Sequence, residues 1–261
     1  MTPPLKQKKI RELTHDDLLQ GFRSVGLTEG DMVLVQSSYI ALRKVSGGPT
    51  AVVRALLDVL GPEGTLLMPT FNWTDFGEKK RYSKLTTKPQ TGVISETLMG
   101  WKDCQRIYHP LHGFSLVGRQ AAALASKIRN ESSFERCSLF GELHRQNAKL
   151  LLLGVSYRQA LTFFHYVEEC VGVPYRKYLF LEGEVEELDG SVHPVRIKYY
   201  GRVSLQQKYN LDHLQPALED DKGSVVRTGK IGLATVKAMN AAEVYDRLAS
   251  VLKINPNLVL E

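Results

Sequence analysis

The sequence has no long apolar run and few cysteines. No stretch approaches the roughly 18 consecutive apolar residues that a membrane-spanning helix requires, so we expect no membrane association. The chain of 261 residues has three cysteines, Cys104, Cys137 and Cys170, in no metal-binding spacing. We therefore expect reduced thiols and no metal. The first residues are basic but lack the apolar core of a secretory signal, which predicts a cytoplasmic protein.

Nucleotide-binding and nucleic-acid-binding motifs are also absent. The sequence contains neither GxxxxGK[ST] nor GxGxxG. The net charge of +6 attracts anions, but the basic residues are scattered among acidic ones and form no basic helix interleaved with aromatic residues. We therefore expect no nucleic-acid partner. A phosphorylated small molecule accounts better for the charge.

Strand and helix patterns alternate along the first part of the chain. A strand pattern over 31–36, a helical pattern over 50–60 and a strand pattern over 65–69 form a βαβ unit. Beyond Tyr178 the alternation is that of antiparallel strands, with a hairpin at Asp189–Gly190 and a strand pair over 224–233 turning at Gly229–Lys230.

These patterns predict an α/β fold with a mixed central sheet flanked by helices and an antiparallel β-rich C-terminal part. We expect one domain over residues 1–261, composed of an N-terminal α/β part (about 1–178) and a C-terminal mixed part (about 179–261). The chain has no internal repeat and no linker long enough to separate two independent domains.

A segment rich in hydroxyl groups and glycine lies between the first strand and its helix. Ser37 and Ser38 follow the strand, and Ser46, Gly47 and Gly48 precede the helix. Backbone N–H groups and the dipole at a helix N-terminus favour an anion, so a phosphate could bind there. A plain βα loop whose glycines serve the turn geometry explains the same residues equally well.

A second strand–turn–helix unit carries a histidine. A buried strand over 150–153 ends at Gly154, and the helix predicted over 161–170 contains His165. Glu168 and Glu169 follow that histidine at the spacing that shares one helix face. A histidine with a carboxylate beside it is arranged like a general base with its orienting partner. Taken alone, such a pair is more often a surface pair or a structural group.

The segment from Thr70 to Thr91 is predicted to be a long loop rich in aromatic and basic residues. Its aromatic side chains could line a pocket or pack the loop onto the domain. Further along, His109 and His112 lie three residues apart without an acidic or cysteine partner at ligand spacing, so we reject a metal site there.

Several separated segments, taken together, resemble the aminoglycoside 3-N-acetyltransferase family. They include the motifs VLVQSS, VSGGPT, MPTF, HPLHG and HYVEE, within residues 33–71, 89–98, 109–118, 138–143, 150–178 and 229–246. The resemblance implies transfer of an acyl group from acetyl-CoA or another acyl-CoA, as co-substrate, to an amine. It implies that His165 is the catalytic base and that Glu168 orients it. Thr70, or a backbone N–H in the Ser37 turn, would stabilise the oxyanion.

The resemblance also assigns binding residues. The pantetheine and phosphates of coenzyme A are expected to contact Ser37, Ser38, Tyr39, Lys44, Val45, Ser46, Gly47 and Gly48. The acceptor is expected to contact Trp73, Tyr82, Glu96, His109 and Tyr175.

The acceptor expected from charge is an amino sugar that carries negative charge, such as a nucleotide-linked (for example dTDP-linked) amino sugar of glycan biosynthesis. The basic loop around Lys79, Lys80 and Arg81 would repel a polycation. One alternative is an aminoglycoside 3-N-acetyltransferase that confers antibiotic resistance, and a second is a non-catalytic CoA-binding protein. The sequence leaves a homodimer open.

Overall fold

The computed structural model describes residues 11–128, 133–220 and 223–261. The strands follow in chain order: β1 (Met32–Ser37), β2 (Thr65–Phe71), β3 (Arg81–Ser83), β4 (Gln105–Ile107), β5 (His112–Gly118), β6 (Lys149–Leu153), β7 (Arg176–Glu186), β8 (Val192–Arg202), β9 (Val226–Ile231) and β10 (Ala234–Asn240). The α-helices are α1 (His15–Ser24), α2 (Tyr39–Leu42), α3 (Gly48–Leu60), α4 (Val93–Met99), α5 (Ala121–Lys127), α6 (Leu139–Arg145), α7 (Tyr157–Ala160), α8 (Phe163–Val171), α9 (Gln215–Leu218) and α10 (Ala241–Ile254).

Across the described residues, the central sheet has seven strands in the order β4-β5-β2-β1-β6-β10-β9. Strands β2, β1 and β6 run parallel, and the other neighbours pair antiparallel. This arrangement confirms the predicted mixed α/β sheet. Strands β9 and β10, from the C-terminal part, complete the sheet begun by the N-terminal part. Strands β7 and β8 form a separate three-stranded sheet with β3.

The central sheet is buried on both faces, which explains its nearly continuous apolar strands. In β1, Val33 and Val35 belong to the core packed with α1 and α3, whereas Leu34 belongs to the core packed with α6, α8 and α10. Side chains of a strand alternate between its faces, so β1 needs apolar residues at successive positions. The two cores position the carboxyl ends of the parallel strands rigidly.

Local signals set several element boundaries. Thr14 caps α1 through a reciprocal capping box with Asp17. Gly47, with φ 80°, precedes α3 and Pro49 occupies its first turn, so the helix begins before the predicted start at Thr50. The predicted hairpin at Asp189–Gly190 connects β7 and β8, and Gly190 takes φ 84° in its turn.

Two sequence predictions about loops are corrected. The strand pair predicted to turn at Gly229–Lys230 turns instead at Gly232, which has φ 59°. Gly229 lies inside β9, where an added Cβ would come within 2.8 Å of Val25, so its small size serves packing. The predicted loop from Thr70 to Thr91 contains a π-helical turn (Thr74–Glu78) and strand β3, which pairs with β7.

Candidate active site

A cleft lies at the carboxyl ends of the parallel strands β1, β2 and β6. This is the edge of an α/β sheet where ligands bind in many folds of this class. The cleft has a volume of about 560 Å³, which is within the range of small-molecule sites. Its walls are formed by Gln36, Ser37, Ser38, Tyr39, Ile40, Pro69, Phe71, Gln90, Thr91, Gly92, Val93, Val155, Gln159, Ala160 and Thr162.

Thr162 connects this cleft to the histidine-bearing helix. Its hydroxyl accepts a 2.8 Å hydrogen bond from the amide of Gln36, at the end of β1. Its backbone carbonyl accepts a 3.0 Å hydrogen bond from the backbone N–H of His165. Helix α8 therefore begins at the cleft wall, and His165 lies on its first turn.

His165 and Glu168 form the pair that their spacing predicted. Nδ1 of His165 lies 2.6 Å from Oε2 of Glu168, on one face of α8. The carboxylate is completely buried, whereas the imidazole side chain is 24% exposed. The ring thus has one nitrogen fixed against the carboxylate and remains partly open to solvent. This is the arrangement of a general base with its orienting acid.

Both oxygens of Glu168 have further partners. Oε1 accepts hydrogen bonds from the hydroxyl groups of Tyr175 and Tyr209, each at 2.7 Å. Oε2 lies 2.8 Å from Nε of Arg176 in a buried ion pair whose geometry is not that of a well-aligned hydrogen bond. Glu168 is therefore oriented by residues from two further segments of the chain, one with Tyr175 and Arg176 and the other with Tyr209.

These contacts keep Glu168 ionised and His165 neutral. Burial raises the pKa of Glu168, but His165, Arg176 and Tyr175 outweigh it and hold that pKa below the ordinary value. Burial and the Arg176 guanidinium hold the pKa of His165 below the ordinary value, against the raising effect of Glu168. A neutral imidazole at neutral pH is the form that can accept a proton.

Aromatic rings connect His165 to the cleft and to the loop after β2. The Phe134 ring lies 5.3 Å from His165 and 4.9 Å from His112, between centroids. His112 in turn lies 4.9 Å from Phe71, a wall of the cleft, and 5.1 Å from Trp73. Trp73 was predicted to contact substrate, and its 39% exposed ring stands on this side of the site.

His109 is buried and accepts hydrogen bonds from the neighbouring backbone. Its Nδ1 accepts hydrogen bonds from the backbone N–H groups of Leu111 and His112, both at 3.0 Å, so the proton must lie on Nε2. Ser133 lies within hydrogen-bond distance of both histidines. Burial lowers the pKa of His109 to about 4. The predicted contact of His109 with substrate has no support in this geometry and stays a prediction.

The predicted CoA-binding residues divide between two places. Ser37, Ser38 and Tyr39 line the cleft. Ser46 and Gly47 line a separate hollow beside the start of α3. Tyr39 links the cleft to the start of α3, because its hydroxyl lies 3.9 Å from the position that a Cβ on Gly48 would occupy.

The remaining three predicted CoA-binding residues, Gly48, Val45 and Lys44, line neither hollow. Val45 is buried in the core, and Lys44 pairs on the surface with Glu12. Their predicted role stays a prediction.

The other predicted acceptor residues are scattered. Tyr82 lies on β3 of the smaller sheet, where it is buried beside Phe76 and Val185, and burial raises its pKa to about 12. Glu96 lies on α4 and pairs with Lys88. Tyr175 belongs with the His165–Glu168 pair, since its hydroxyl donates to Glu168. The structure therefore brings Tyr175 and Trp73 toward the site and leaves Tyr82 elsewhere.

Thr70, the predicted oxyanion donor, lies on β2. In that strand Leu66 and Met68 belong to the core that packs with α3, and alternation places Thr70 on the same face. Its hydroxyl is buried without a hydrogen-bond partner in the described part of the chain, beside Gly113. Helix α8 packs against the opposite face. The role of Thr70 in stabilising the oxyanion stays a prediction.

Three contributors to the site are absent from the sequence predictions. Arg176 directly follows Tyr175 in VPYRKY, so its place beside the pair could have been suspected. Tyr209 lies 41 residues after Glu168, and no local pattern indicates it. Tyr199, on β8, lies 5.3 Å from Trp73 and extends the aromatic wall.

A family model described as aminoglycoside 3-N-acetyltransferase matches residues 34–253. The chain belongs to this family. An aminoglycoside N(3)-acetyltransferase IV from Salmonella is 31% identical over 159 residues, covering 61% of this chain and 60% of that enzyme. A prophage-derived aminoglycoside N(3')-acetyltransferase-like protein, YokD, from Bacillus subtilis is 25% identical. The match covers 89% of this chain and 90% of that protein.

Solved structures show the same fold. The apoenzyme of aminoglycoside acetyltransferase AAC(3)-IVa superposes with a TM-score of 0.81 at 23% identity, covering 97% of this chain and 94% of that one. A complex of AAC-IIIb with CoASH superposes with a TM-score of 0.80 at 19% identity. The superposition covers 94% of this chain and 97% of that one. Family membership confirms the predicted enzyme class, an acyl-CoA-dependent N-acyltransferase.

No group of histidine, cysteine, aspartate and glutamate among the described residues has the arrangement of a metal site. In the same residues, no helix combines the length and apolarity needed to cross a bilayer.

Proposed function

We propose that the protein transfers the acetyl group of acetyl-CoA to an amino group of an aminoglycoside. The observation that carries this proposal is the His165–Glu168 pair beside a cleft at the carboxyl ends of parallel strands, in a chain of this family. The relatives described above are named for aminoglycosides, which favours the alternative from the sequence analysis over its first choice. The comparisons give no support to a nucleotide-linked amino sugar.

The cleft supports the acyl-donor half of the proposal. It offers hydroxyl groups from Ser37 and Ser38 and an apolar wall from Phe71, which suits a pantetheine arm with amide groups and methylenes. Beyond Tyr39 lies the N-terminus of α3, a helix of 13 residues whose positive end favours phosphate. In this proposal the thioester lies near Thr162 and the phosphates lie near Gly47 and Gly48.

His165 supplies the proton transfers of the reaction. Its Nε2 accepts a proton from the acceptor amine as the nitrogen attacks the thioester carbonyl. Glu168 stabilises the imidazolium that forms, and a backbone or hydroxyl donor stabilises the tetrahedral oxyanion. As the intermediate collapses, the carbon–sulfur bond breaks and the imidazolium returns the proton to the departing thiolate. The products are an amide and free coenzyme A.

A thiol-release assay with mass analysis of the products tests the proposal. The acceptors are an aminoglycoside with a free 3-amino group, the same compound with that amine blocked, and a nucleotide-linked amino sugar. We expect thiol release and an acetylated product with the free amine, and neither with the blocked one. Turnover of the nucleotide-linked sugar alone would overturn the acceptor. Binding of acetyl-CoA without turnover of any amine would instead support a non-catalytic CoA-binding protein.

A further inference from the structure

Arg176 occupies a position that sheet stability does not explain. It pairs directly with Arg202 across β7 and β8, and like charges opposite each other in a sheet are destabilising. Its side chain is also only 3% exposed, which adds a desolvation cost for the charge. The reason for a guanidinium at this position must lie in the groups that it contacts.

Those groups are the catalytic pair and its supports. Arg176 donates from Nη1 to the backbone carbonyl of Tyr200 and from Nη2 to the hydroxyl of Tyr209, both at 3.1 Å. Its Nε lies 2.8 Å from Oε2 of Glu168. These contacts fix the guanidinium so that Nη2 also lies 3.1 Å from Nδ1 of His165.

Nδ1 of His165 has two competing contacts, and the shorter one decides where the imidazole proton lies. A guanidinium can only donate, and the Glu168 carboxylate can only accept. Nδ1 of His165 cannot donate to Glu168 and accept from Arg176 at once, and the contact with Glu168 is shorter, 2.6 Å against 3.1 Å. The proton therefore lies on Nδ1. The guanidinium lies beside that N–H as a positively charged neighbour of the ring.

We propose that Arg176 is a positioning residue for acyl transfer, which holds Glu168 against Nδ1 of His165 and, as a cation beside the ring, keeps Nε2 as the unprotonated base. This inference rests on the proposed function, which gives His165 its role as the base. The negative charge of Glu168 is shared with Arg176, so it cannot fully stabilise an imidazolium. The protonated ring formed during the reaction then returns its proton readily to the departing thiolate.

The other charged and titratable groups described around the ring include Glu168, Tyr175, His112, Tyr209 and Arg202. Arg202 is the second cation, and its guanidinium lies 5.2 Å from the centre of the Tyr209 ring. It hydrogen bonds to the carbonyl of Gln207 and has no hydrogen bond to Glu168 or His165 among the described residues. Arg202 therefore offers a matched control.

The test compares Arg176→Gln, Arg176→Lys and Arg202→Met. Each protein is titrated by NMR at the His165 ring in the absence of substrate, and kcat/KM is measured from pH 5 to 9. For Arg176→Gln we expect His165 to titrate at higher pH than in the wild type. Its activity should fall on the order of tenfold more at pH 6 than at pH 9. Arg176→Lys should retain the wild-type titration with a lower kcat, and Arg202→Met should shift it less than Arg176→Gln does.

An unchanged His165 titration in Arg176→Gln, with activity reduced equally at every pH, would show a merely structural role and overturn the proposal. If Arg176→Gln does not fold, Arg176→Lys decides: a His165 titration raised above the wild-type value would overturn the proposal, and a retained one supports it. The NMR titration needs no acceptor. Failure of every acceptor in the assay would therefore refute the proposed function and leave the test of Arg176 intact.

Discussion

Tyr209 donates its hydroxyl to Glu168 across 2.7 Å, although 41 residues separate them in the chain. Tyr175 donates to the same oxygen, and both hydroxyl groups leave the other oxygen to His165 and Arg176. A buried carboxylate with these partners keeps its charge and its orientation. The base of the proposed reaction thus depends on residues that meet only in the folded protein.

Replacement of Glu168 by glutamine should lower kcat by about 10²- to 10⁴-fold, because the amide neither fixes the tautomer of His165 nor balances the imidazolium. The KM for acetyl-CoA should change little. The free energy of unfolding should fall by about 3–5 kcal/mol, since Arg176 is left buried without its carboxylate. Steady-state kinetics well below the melting temperature and urea unfolding measure both effects.

Glu169→Gln is the matched control for that variant. This carboxylate lies one residue along α8 and accepts a 3.0 Å hydrogen bond from Tyr178, away from the ring of His165. Its kcat should remain close to the wild-type value. Equal losses in Glu168→Gln and Glu169→Gln would contradict a specific role for Glu168.

The pH dependence of kcat/KM should show an acid limb below the ordinary histidine pKa of roughly 6.5. Burial and Arg176 hold the pKa of His165 down, so the ring is neutral above that lowered value and activity is lost as pH falls through it. The measurement is kcat/KM at saturating acetyl-CoA over pH 5 to 9. An acid limb at pH 7 or above would contradict this account of the base.

Filling the cleft should weaken binding of the acyl donor specifically. Ser38 lines the cleft, and its side chain makes no capping hydrogen bond to α2, so Ser38→Phe adds volume without removing a structural contact. We expect a raised KM for acetyl-CoA and an unchanged KM for the acceptor in bisubstrate kinetics. Ser126→Phe, at an exposed position on α5, is the control and should change neither value. A raised acceptor KM alone in Ser38→Phe would place the donor elsewhere.

The buried His109 should make the fold sensitive to acid. Burial lowers its pKa to about 4, so the unfolded chain takes up the proton first as pH falls below roughly 6.5. The stability contribution is fully present above pH 6.5 and is lost progressively down to pH 4, by about 3 kcal/mol. In His109→Asn, whose side-chain oxygen can replace Nδ1 as acceptor, this part of the pH dependence should disappear. Urea unfolding from pH 4 to 8 measures it, and an unchanged slope would contradict the prediction.

Much of the fold followed from local sequence patterns. Strand β1 was recognisable because both of its faces are buried, and His165 and Glu168 share a face because of helical periodicity. The turn of β9 and β10 was misplaced because two glycines lie close together. Gly232 serves the turn and Gly229 serves packing, and only the tertiary structure distinguishes these uses.

The site was less predictable because it is assembled over long distances. Arg176 and Tyr209 reach Glu168 from different segments, and no spacing rule connects them. The resemblance assigns the CoA-binding residues to one stretch of sequence that begins at Ser37 and ends at Gly48. In the structure Val45 enters the core between its two ends, because the chain must pack before α3 can begin.

The most direct test of the central claim is the turnover of His165→Asn with acetyl-CoA and the best acceptor, compared with its affinity for coenzyme A by calorimetry. The account predicts a kcat lowered on the order of 10²- to 10⁴-fold with coenzyme A binding retained, because only the base is removed. A kcat equal to that of the wild type would contradict it.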